Sequence, residues 1–228
     1  MKCSIYYFFL ILFSISLFCS HSYAQEVSPF MHLSIFGGVA FPVGDFGSTT
    51  STNAGFARTG YSAMLQGDKN ITEAIYWTSS ISVAVNSINN SALESSLDSS
   101  LGLKAGYKVT VNNRGYISTL LMTGLGIETS ASNPVQFYGS AQVGVLMSSF
   151  PTETISSKAY TANISTNTPF AFAYGFGAGV IYNSINLGVR YFAGEPTYKM
   201  VTTVQSYPTS SVMQPHTKIL QLMIGYCF

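Results

Sequence analysis

The chain ends with the alternating stretch Leu220-Gln221-Leu222-Met223-Ile224-Gly225-Tyr226-Cys227-Phe228. Every second residue in it is leucine, isoleucine, tyrosine or phenylalanine, and the residues between them are glutamine, methionine, glycine and cysteine. Successive side chains of a β-strand point to opposite faces, so a period of two places all the large residues on one face. The stretch therefore predicts a strand with one continuous apolar face.

The same alternation recurs in seven further segments. Within 170–180, for example, Phe170, Phe172 and Phe176 alternate with alanine and glycine. The segment 116–128 alternates less cleanly, because Leu120-Leu121-Met122 interrupts the pattern. The predicted strands comprise residues 33–41, 60–66, 75–85, 116–128, 137–147, 170–180, 185–192 and 220–228. Eight is an even number, as bacterial single-chain outer-membrane barrels require.

The composition restricts the environment in which such strands can fold. Only 8% of the residues are charged, against about 25% in an average soluble protein. Hydrophobic residues make up 47% of the chain, and its mean hydropathy is +0.28. These values exclude intrinsic disorder. Ten Lys and Arg against nine Asp and Glu leave no basic field for nucleic acid.

A membrane barrel explains low charge and alternation together. A soluble sandwich or lipocalin-like barrel also alternates, but its outer face would need far more charge. After residue 24 no apolar run approaches the ~18 residues of a membrane helix. Backbone groups in lipid must be paired internally, which leaves the closed barrel as the other spanning structure. We therefore predict an all-β fold, an eight-stranded antiparallel up-and-down transmembrane β-barrel.

The first 24 residues have the layout of a secretory signal peptide. Lys2 gives a positive start, residues 5–18 are apolar or small, and Ser22 and Ala24 are small residues before a cut ahead of Gln25. A lipoprotein signal through Cys19 is the alternative, but the bulky Phe18 precedes that cysteine. We predict a signal peptide over 1–24, with cleavage between Ala24 and Gln25, and a barrel domain over 25–228.

Export removes charge and thiols from the mature protein. Loss of Lys2 leaves nine basic and nine acidic side chains, so the formal net charge becomes zero. Cys3 and Cys19 also leave, so Cys227 is the only remaining cysteine and no internal disulfide can form.

The connections between the predicted strands alternate in length. The short ones are 67–72, 129–134 and 182–184, and the long ones, rich in Ser, Thr and Asn, are 41–57, 87–115, 149–168 and 193–215. Outer-membrane barrels have short periplasmic turns and long outer loops, which would place both chain termini in the periplasm. Leucines between residues 92 and 103 have roughly helical spacing, which fits either a short rim helix or an extended strand end.

Four stretches resemble the small outer-membrane β-barrel family, which includes porin-family and OmpX/OmpA-type eight-stranded domains. The terminal stretch resembles the family's C-terminal assembly signal, whose aromatic last residue is read by the assembly machinery. The opening stretch from Gly37 to Phe46, with Pro42 and Gly44-Asp45-Phe46, resembles a first strand and loop, and 120–125 and 137–141 resemble middle strands. The matching signal residues are Leu220, Leu222, Ile224, Tyr226 and Phe228. The resemblance implies the outer membrane of a Gram-negative bacterium.

Two arginines have inward parity in the predicted barrel. Arg58 and Arg190 are therefore predicted lumen charges, with Asp45, Glu195 and Glu128 as possible partners. A charge in a narrow barrel must be paired or hydrated. These arginines would either form interior salt bridges with carboxylates and fill the lumen, or form an anion-selective constriction.

The sequence contains no convincing catalytic or metal-binding set. His32 and His216 are far apart in the predicted topology, so no shared metal site is expected. The spacing of His32 and Ser34 matches lipid A deacylases, but the two residues lie near the wrong membrane face and lack the adjacent asparagine. Glu128 is predicted near the same end, which leaves a constellation of the three open. We predict no catalytic residue, no metal and no cofactor. A lipid-modifying enzyme is the least favoured reading.

An eight-stranded barrel encloses a lumen just wide enough for side chains. We therefore expect a packed lumen and a structural or surface-interaction role through the long extracellular loops. The alternative is a narrow porin-like channel for small solutes. The expected partners are outer-membrane lipid and the barrel assembly machinery, through the C-terminal strand. We expect a monomer and no nucleic-acid partner, and the sequence does not identify what the loops bind.

Overall fold

A computed structural model describes residues 31–228 except 52, 102–109, 113–114, 130–133, 151–152, 157–160, 205–206 and 215. The predicted signal peptide and its cleavage site at Ala24 and Gln25 lie outside the described residues. Within the described part of the chain there are thirteen strands and one α-helix. In chain order these are β1 (Met31–Pro42), β2 (Gly60–Asn70), β3 (Ile75–Asn86), α1 (Asn90–Leu101), β4 (Thr110–Asn112), β5 (Tyr116–Glu128), β6 (Val135–Ser149), β7 (Glu153–Ser156), β8 (Thr161–Thr166), β9 (Phe170–Tyr182), β10 (Ile185–Gly194), β11 (Tyr198–Val204), β12 (Tyr207–Met213) and β13 (Thr217–Cys227).

Eight of these strands form a closed barrel. Its order is β1-β13-β10-β9-β6-β5-β3-β2, with β2 returning to β1, and every neighbouring pair is antiparallel. Each of the eight predicted strands coincides with one of these strands, with only Phe228 beyond the end of β13, so the predicted eight-stranded antiparallel barrel is confirmed. Closure leaves the barrel without an unpaired edge, which is the condition for placing a sheet in lipid.

The predicted parity also holds along the barrel. On β13, Leu222 and Ile224 point outward with 46% and 59% of their surfaces exposed, whereas Gln221 and Met223 are buried inside. On β5, the interrupted pattern resolves into inward Leu120 and Met122 and outward Leu121. Exposed isoleucine, leucine, valine and phenylalanine side chains recur on all eight barrel strands, so the outer surface is apolar. Among the described residues, no helix is both long and apolar enough to cross a bilayer.

The long loops contain a second sheet that was not predicted from the sequence. Its strand order is β12-β11-β8-β7-β4, and it joins segments from three different loops. The segments are short and rich in Thr and Val, which suit strands, but their pairing depends on loops brought together by the barrel. Of the two readings for residues 92–103, the structure has the helix, α1, whose Ala92 N–H donates to the Asn89 side chain at 3.3 Å.

The first short turn lies further along the chain than predicted. β2 continues to Asn70 and β3 begins at Ile75, so the connection is 71–74 rather than 67–72. The Thr72 hydroxyl accepts the Ile75 N–H at 3.0 Å, which closes this turn. The change matters for the interior, because Asp68 now belongs to a barrel strand. The end of the barrel with the short connections is called the turn end below, and the opposite end the loop end.

Candidate functional site

The barrel interior is the candidate site, and its two halves differ in chemistry. Long polar side chains occupy the turn-end half and the middle, whereas large apolar side chains fill the loop-end half with short hydroxyl side chains between them. Inward positions of the barrel strands supply both sets. The buried long polar residues are Gln66, Asn86, Gln142, Asn186, Arg190 and Gln221, of which Asn86 lies at the loop end. Apolar side chains also occur beside Arg190, where Phe36 clusters with Met64 and Met223.

Arg190 is the central charge of the polar half. Its side chain is buried, with 1% of the residue surface exposed, and its guanidinium carbon lies 4.9 Å from the Phe36 ring centroid and 6.0 Å from that of Tyr138. Such cation–π contacts partly replace the hydration that a buried cation loses. The Nε and Nη2 groups have no hydrogen-bond partner among the described residues. The lumen therefore retains unpaired hydrogen-bond donors at this level.

The Asp68 carboxylate interacts electrostatically with Arg190, although the sequence predicted a turn at Asp68. Asp68 extends inward from β2, and the Gln66 side-chain amide donates to both of its carboxylate oxygens, at 2.9 and 2.7 Å. Its parity with Gln66 was the available signal, but the glycine and asparagine around it favoured a turn. Within the described residues, no carboxylate oxygen lies within 4 Å of Arg190, so its charge has no direct ion pair.

The partners predicted for the lumen arginines are located elsewhere. Asp45 lies in a short 3-10 turn, Gly44–Phe46, at the loop end. Glu195 pairs with His216, whose Nδ1 is 2.9 Å from the carboxylate. Glu128 is half-buried at the turn end of β5. The predicted salt bridge that fills the lumen is therefore wrong for Asp45 and Glu195.

Arg58 is not a lumen charge. It precedes β2 and is exposed, with its backbone held by Ser87 and its carbonyl accepting the Asn86 side-chain amide at 2.9 Å. The prediction extended the alternation of β2 beyond the first residue of the strand. The inward parity of Arg58 was therefore wrong, whereas Arg190 lies in the middle of a barrel strand.

Four aromatic rings close the loop end of the lumen. They form a continuous series of edge-on contacts, with centroid distances of 4.9 Å from Phe46 to Tyr116, 5.1 Å from Tyr116 to Phe150 and 5.7 Å from Phe150 to Tyr198. We call this set the aromatic plug. Beneath it lies an apolar layer made of Leu120, Met122, Leu146, Ala173 and Phe192.

The hydroxyls of the aromatic plug are satisfied, so its packing is specific. Tyr116 donates to the Gly55 carbonyl at 2.8 Å, and Tyr198 donates to the Ser148 hydroxyl. Burial raises the pKa of Tyr198 to about 12, with the hydrogen bonds to Ser148 and Thr217 acting in the opposite direction. The plug was not predicted from the sequence, since Phe46, Phe150 and Tyr198 lie outside the predicted strands.

The residues weighed for chemistry do not form a nucleophilic set. The Ser34 hydroxyl lies 3.2 Å from the Cys227 sulfur, to which it donates. His32 is exposed at the turn end of β1, and no hydrogen bond between it and Ser34 is found among the described residues. Across the described part of the chain, no three His, Cys, Asp or Glu side chains cluster as metal ligands. The expected absence of catalysis stays a prediction.

The C-terminal strand closes the barrel. β13 pairs with β1 on one side and β10 on the other, and Phe228 continues this contact by donating its N–H to the Leu33 carbonyl at 2.8 Å. The side chains of Leu222, Ile224, Tyr226 and Phe228 are exposed on the outer surface, and Leu220 is half-buried. The predicted assembly residues therefore share one outward face.

Comparison with known proteins bears on the fold. No family model matches the chain, and no curated protein sequence matches it. Solved structures do: a major outer membrane protein from Thermus thermophilus (11% identity, 87% of this chain and 100% of that chain covered, TM-score 0.49) and OprG from Pseudomonas aeruginosa (13%, 88% and 97%, 0.48). Neisserial surface protein A is a third (11%, 87% and 97%, 0.44). At these identities the likeness concerns the fold alone.

The features of the chain itself define its class. A closed antiparallel barrel of eight strands, apolar outside and filled inside, is the architecture of the small transmembrane barrels. The chain is an eight-stranded barrel of this class.

Proposed function

We propose that the protein is a structural barrel of the bacterial outer membrane. It presents the second sheet, formed by its long loops, to the outside and does not conduct solutes. The aromatic plug carries this proposal, because four packed rings fill the loop end of the lumen above an apolar layer. An eight-stranded barrel has no spare interior width around such a plug. The function then depends on the surface that the loops form.

The proposed location follows from the outer surface and the N-terminal sequence. Most of the large exposed side chains of the barrel strands are isoleucine, leucine, valine and phenylalanine, which lipid solvates at lower cost than water does. Residues 1–24 would direct export and be cleaved between Ala24 and Gln25, leaving 25–228 as the barrel domain. The partners would be outer-membrane lipid, and the protein would be a monomer.

The order of the second sheet supports a role in surface binding. Loops that carry their own paired strands lose less conformational entropy when they bind than irregular loops do. The α-helix adds to this order, since its Glu94 carboxylate accepts the N–H of Val111 on β4 at 2.9 Å. A preformed outer surface is the feature a surface-interaction protein needs.

Planar-bilayer recording tests the closed lumen. The wild-type protein should show no steady single-channel openings, because the aromatic plug blocks the path. Tyr116→Ala combined with Phe150→Ala and Phe192→Ala opens both the plug and the apolar layer and should introduce openings, and Tyr61→Ala, at an exposed tyrosine, should not. Steady wild-type openings that change in selectivity with Arg190→Gln would instead establish the narrow channel.

The assembly role proposed for the C-terminal strand has its own test. Phe228→Ala should lower the amount of folded, heat-modifiable barrel in the outer membrane, because the machinery would lose the terminal aromatic residue. Val212→Ala, an exposed apolar residue of β12 outside the barrel, is the matched control and should leave that amount unchanged. Equal folded amounts for all three proteins would refute the assembly role.

A further inference from the structure

An apolar cavity lies above the aromatic plug, between the barrel mouth, α1 and the second sheet. Its volume is about 160 Å³. We call it the loop-end pocket. Its wall includes Phe56, Leu93, Leu97, Tyr116, Ile164 and Met200. The pocket is partly open to its surroundings, and its size and apolar wall suit a small apolar group.

The wall of the loop-end pocket offers almost nothing to water. Among the described residues, those of the wall have apolar side chains except for Tyr116, whose hydroxyl already donates to the Gly55 carbonyl at 2.8 Å. An ordered water needs two to four polar partners, and the described lining supplies few of them. An uncharged apolar guest is therefore the occupant that this wall fits.

A strained backbone position holds one side of the pocket. Phe56 has φ of +53°, in the left-handed region that a bulky residue rarely adopts. Two hydrogen bonds keep it there: its N–H donates to the Ser48 carbonyl at 3.0 Å, and its carbonyl accepts the Asn89 N–H at 2.8 Å. Strain of this kind persists where the surroundings over-determine it, and it concentrates at ligand sites.

The opposite side is held by the helix. Leu93 lies on the face of α1 toward the pocket, and the helix is tied to β4 because Glu94 accepts the Val111 N–H and the Asn90 side chain donates to the Val111 carbonyl at 3.4 Å. Collapse of the pocket would require these bonds to break. The pocket is therefore preformed, which lowers the cost of binding.

We propose that the loop-end pocket binds a small uncharged apolar molecule or chain end, about the size of one aromatic ring. The aromatic plug forms its floor, so a bound guest stays at the loop end and does not enter the lumen. Two sources share this chemistry, a free apolar solute and the end of a lipid chain.

Methionine methyl NMR on the full-length protein in lipid nanodiscs tests the proposal. Met200 lines the pocket, whereas Met64 and Met223 are buried in the lumen and serve as internal controls. Titration with benzene should shift the Met200 signal, assigned through Met200→Leu, to a plateau. The signals of Met64 and Met223 should stay in place. Benzenesulfonate should shift the Met200 signal much less than benzene does, because the apolar lining offers its charge no partner.

Two tryptophan variants on the same helix sharpen the test. Leu93→Trp fills the pocket and should abolish the saturable shift, whereas Ser96→Trp, on the exposed face, should keep it. If Leu93→Trp does not fold, Ala54→Leu narrows the same pocket from the opposite wall. The lumen methionine signals report whether each variant has folded.

The nanodisc also separates the two sources. Nuclear Overhauser contacts from lipid-chain protons to the Met200 methyl, lost in Leu93→Trp, would identify a lipid chain as the guest. A saturable benzene shift without such contacts would identify a free solute. A linear shift of all buried methionines together, or a saturable shift that persists in Leu93→Trp, would overturn the proposal.

Discussion

The two halves of the barrel interior are filled by different kinds of side chain. The turn-end half holds long polar side chains around Arg190. Several of their polar atoms have no partner among the described residues, including the amide nitrogen and oxygen of Gln221. The loop-end half instead packs rings and aliphatic side chains, and the tyrosine hydroxyls of its plug are paired. The loop-end half also contains short polar groups without a partner among the described residues, such as the hydroxyl of Ser118, so the two halves differ in the size and apolar content of their side chains.

The difference indicates where the stability of the barrel resides. A well-packed aromatic cluster gains both apolar burial and ring contacts, whereas a buried cation without an ion pair contributes little net stability. The eight-stranded architecture does not by itself decide which half is polar, because every strand supplies inward-facing positions to both halves. We therefore expect substitutions in the loop-end half to cost more than equivalent ones in the turn-end half.

The largest effect is expected from Tyr116→Ala. It removes the ring that contacts both Phe46 and Phe150, together with the hydrogen bond to Gly55, and should destabilise the barrel by about 3–5 kcal/mol. The measurement is urea-induced unfolding in lipid vesicles. Tyr61→Ala, on the outer surface of β2, is the matched control and should cost much less. Equal losses would mean that the plug adds no stability.

A reciprocal exchange on β6 compares the halves on one strand. Leu146→Gln places an amide in the apolar layer and should cost about 3 kcal/mol, because apolar burial is lost and the amide has no partner. Gln142→Leu removes the hydrogen bonds to Thr78 and Ser80 and should cost about 1 kcal/mol. Unfolding midpoints in urea give both values. If Gln142→Leu proved the more damaging change, the polar half would be the better-ordered one.

Alkaline unfolding isolates one ring of the plug. Because burial raises the pKa of Tyr198 to about 12 while an unfolded tyrosine titrates near its usual value of about 10, its stabilising contribution is complete below pH 10. That contribution is lost as the pH rises from 10 toward 12. Tyr198→Phe should therefore show a shallower fall in unfolding free energy over this window than the wild type. An unchanged slope would place the alkaline sensitivity in other tyrosines.

The sequence allowed the barrel to be predicted, but only part of its interior. Alternation is a local property, so strands such as β13 and the outward face of Leu222 and Ile224 could be identified from neighbouring residues. The aromatic plug could not, because it joins Phe46, Phe150 and Tyr198 from loops far apart in the chain. The second sheet escaped prediction for the same reason. Arg58 shows the converse error, a local pattern extended beyond the end of a strand.

The smallest effect is expected where a hydroxyl is introduced at the turn end. Cys227→Ser keeps a group that can accept the Ser34 hydroxyl, now 3.2 Å from the sulfur, and the position is half-buried at the rim, so the free energy of unfolding should change by less than about 0.5 kcal/mol. Ala173→Ser introduces the same group into the apolar layer of β9, where the residue is fully buried, and should cost about 1–2 kcal/mol. Both variants introduce a serine hydroxyl, in place of a thiol at the half-buried rim and in place of a methyl hydrogen at the fully buried Ala173. Urea unfolding of both therefore measures the contrast directly, and a tolerated hydroxyl at Ala173 would show that the loop-end half is as permissive as the turn end.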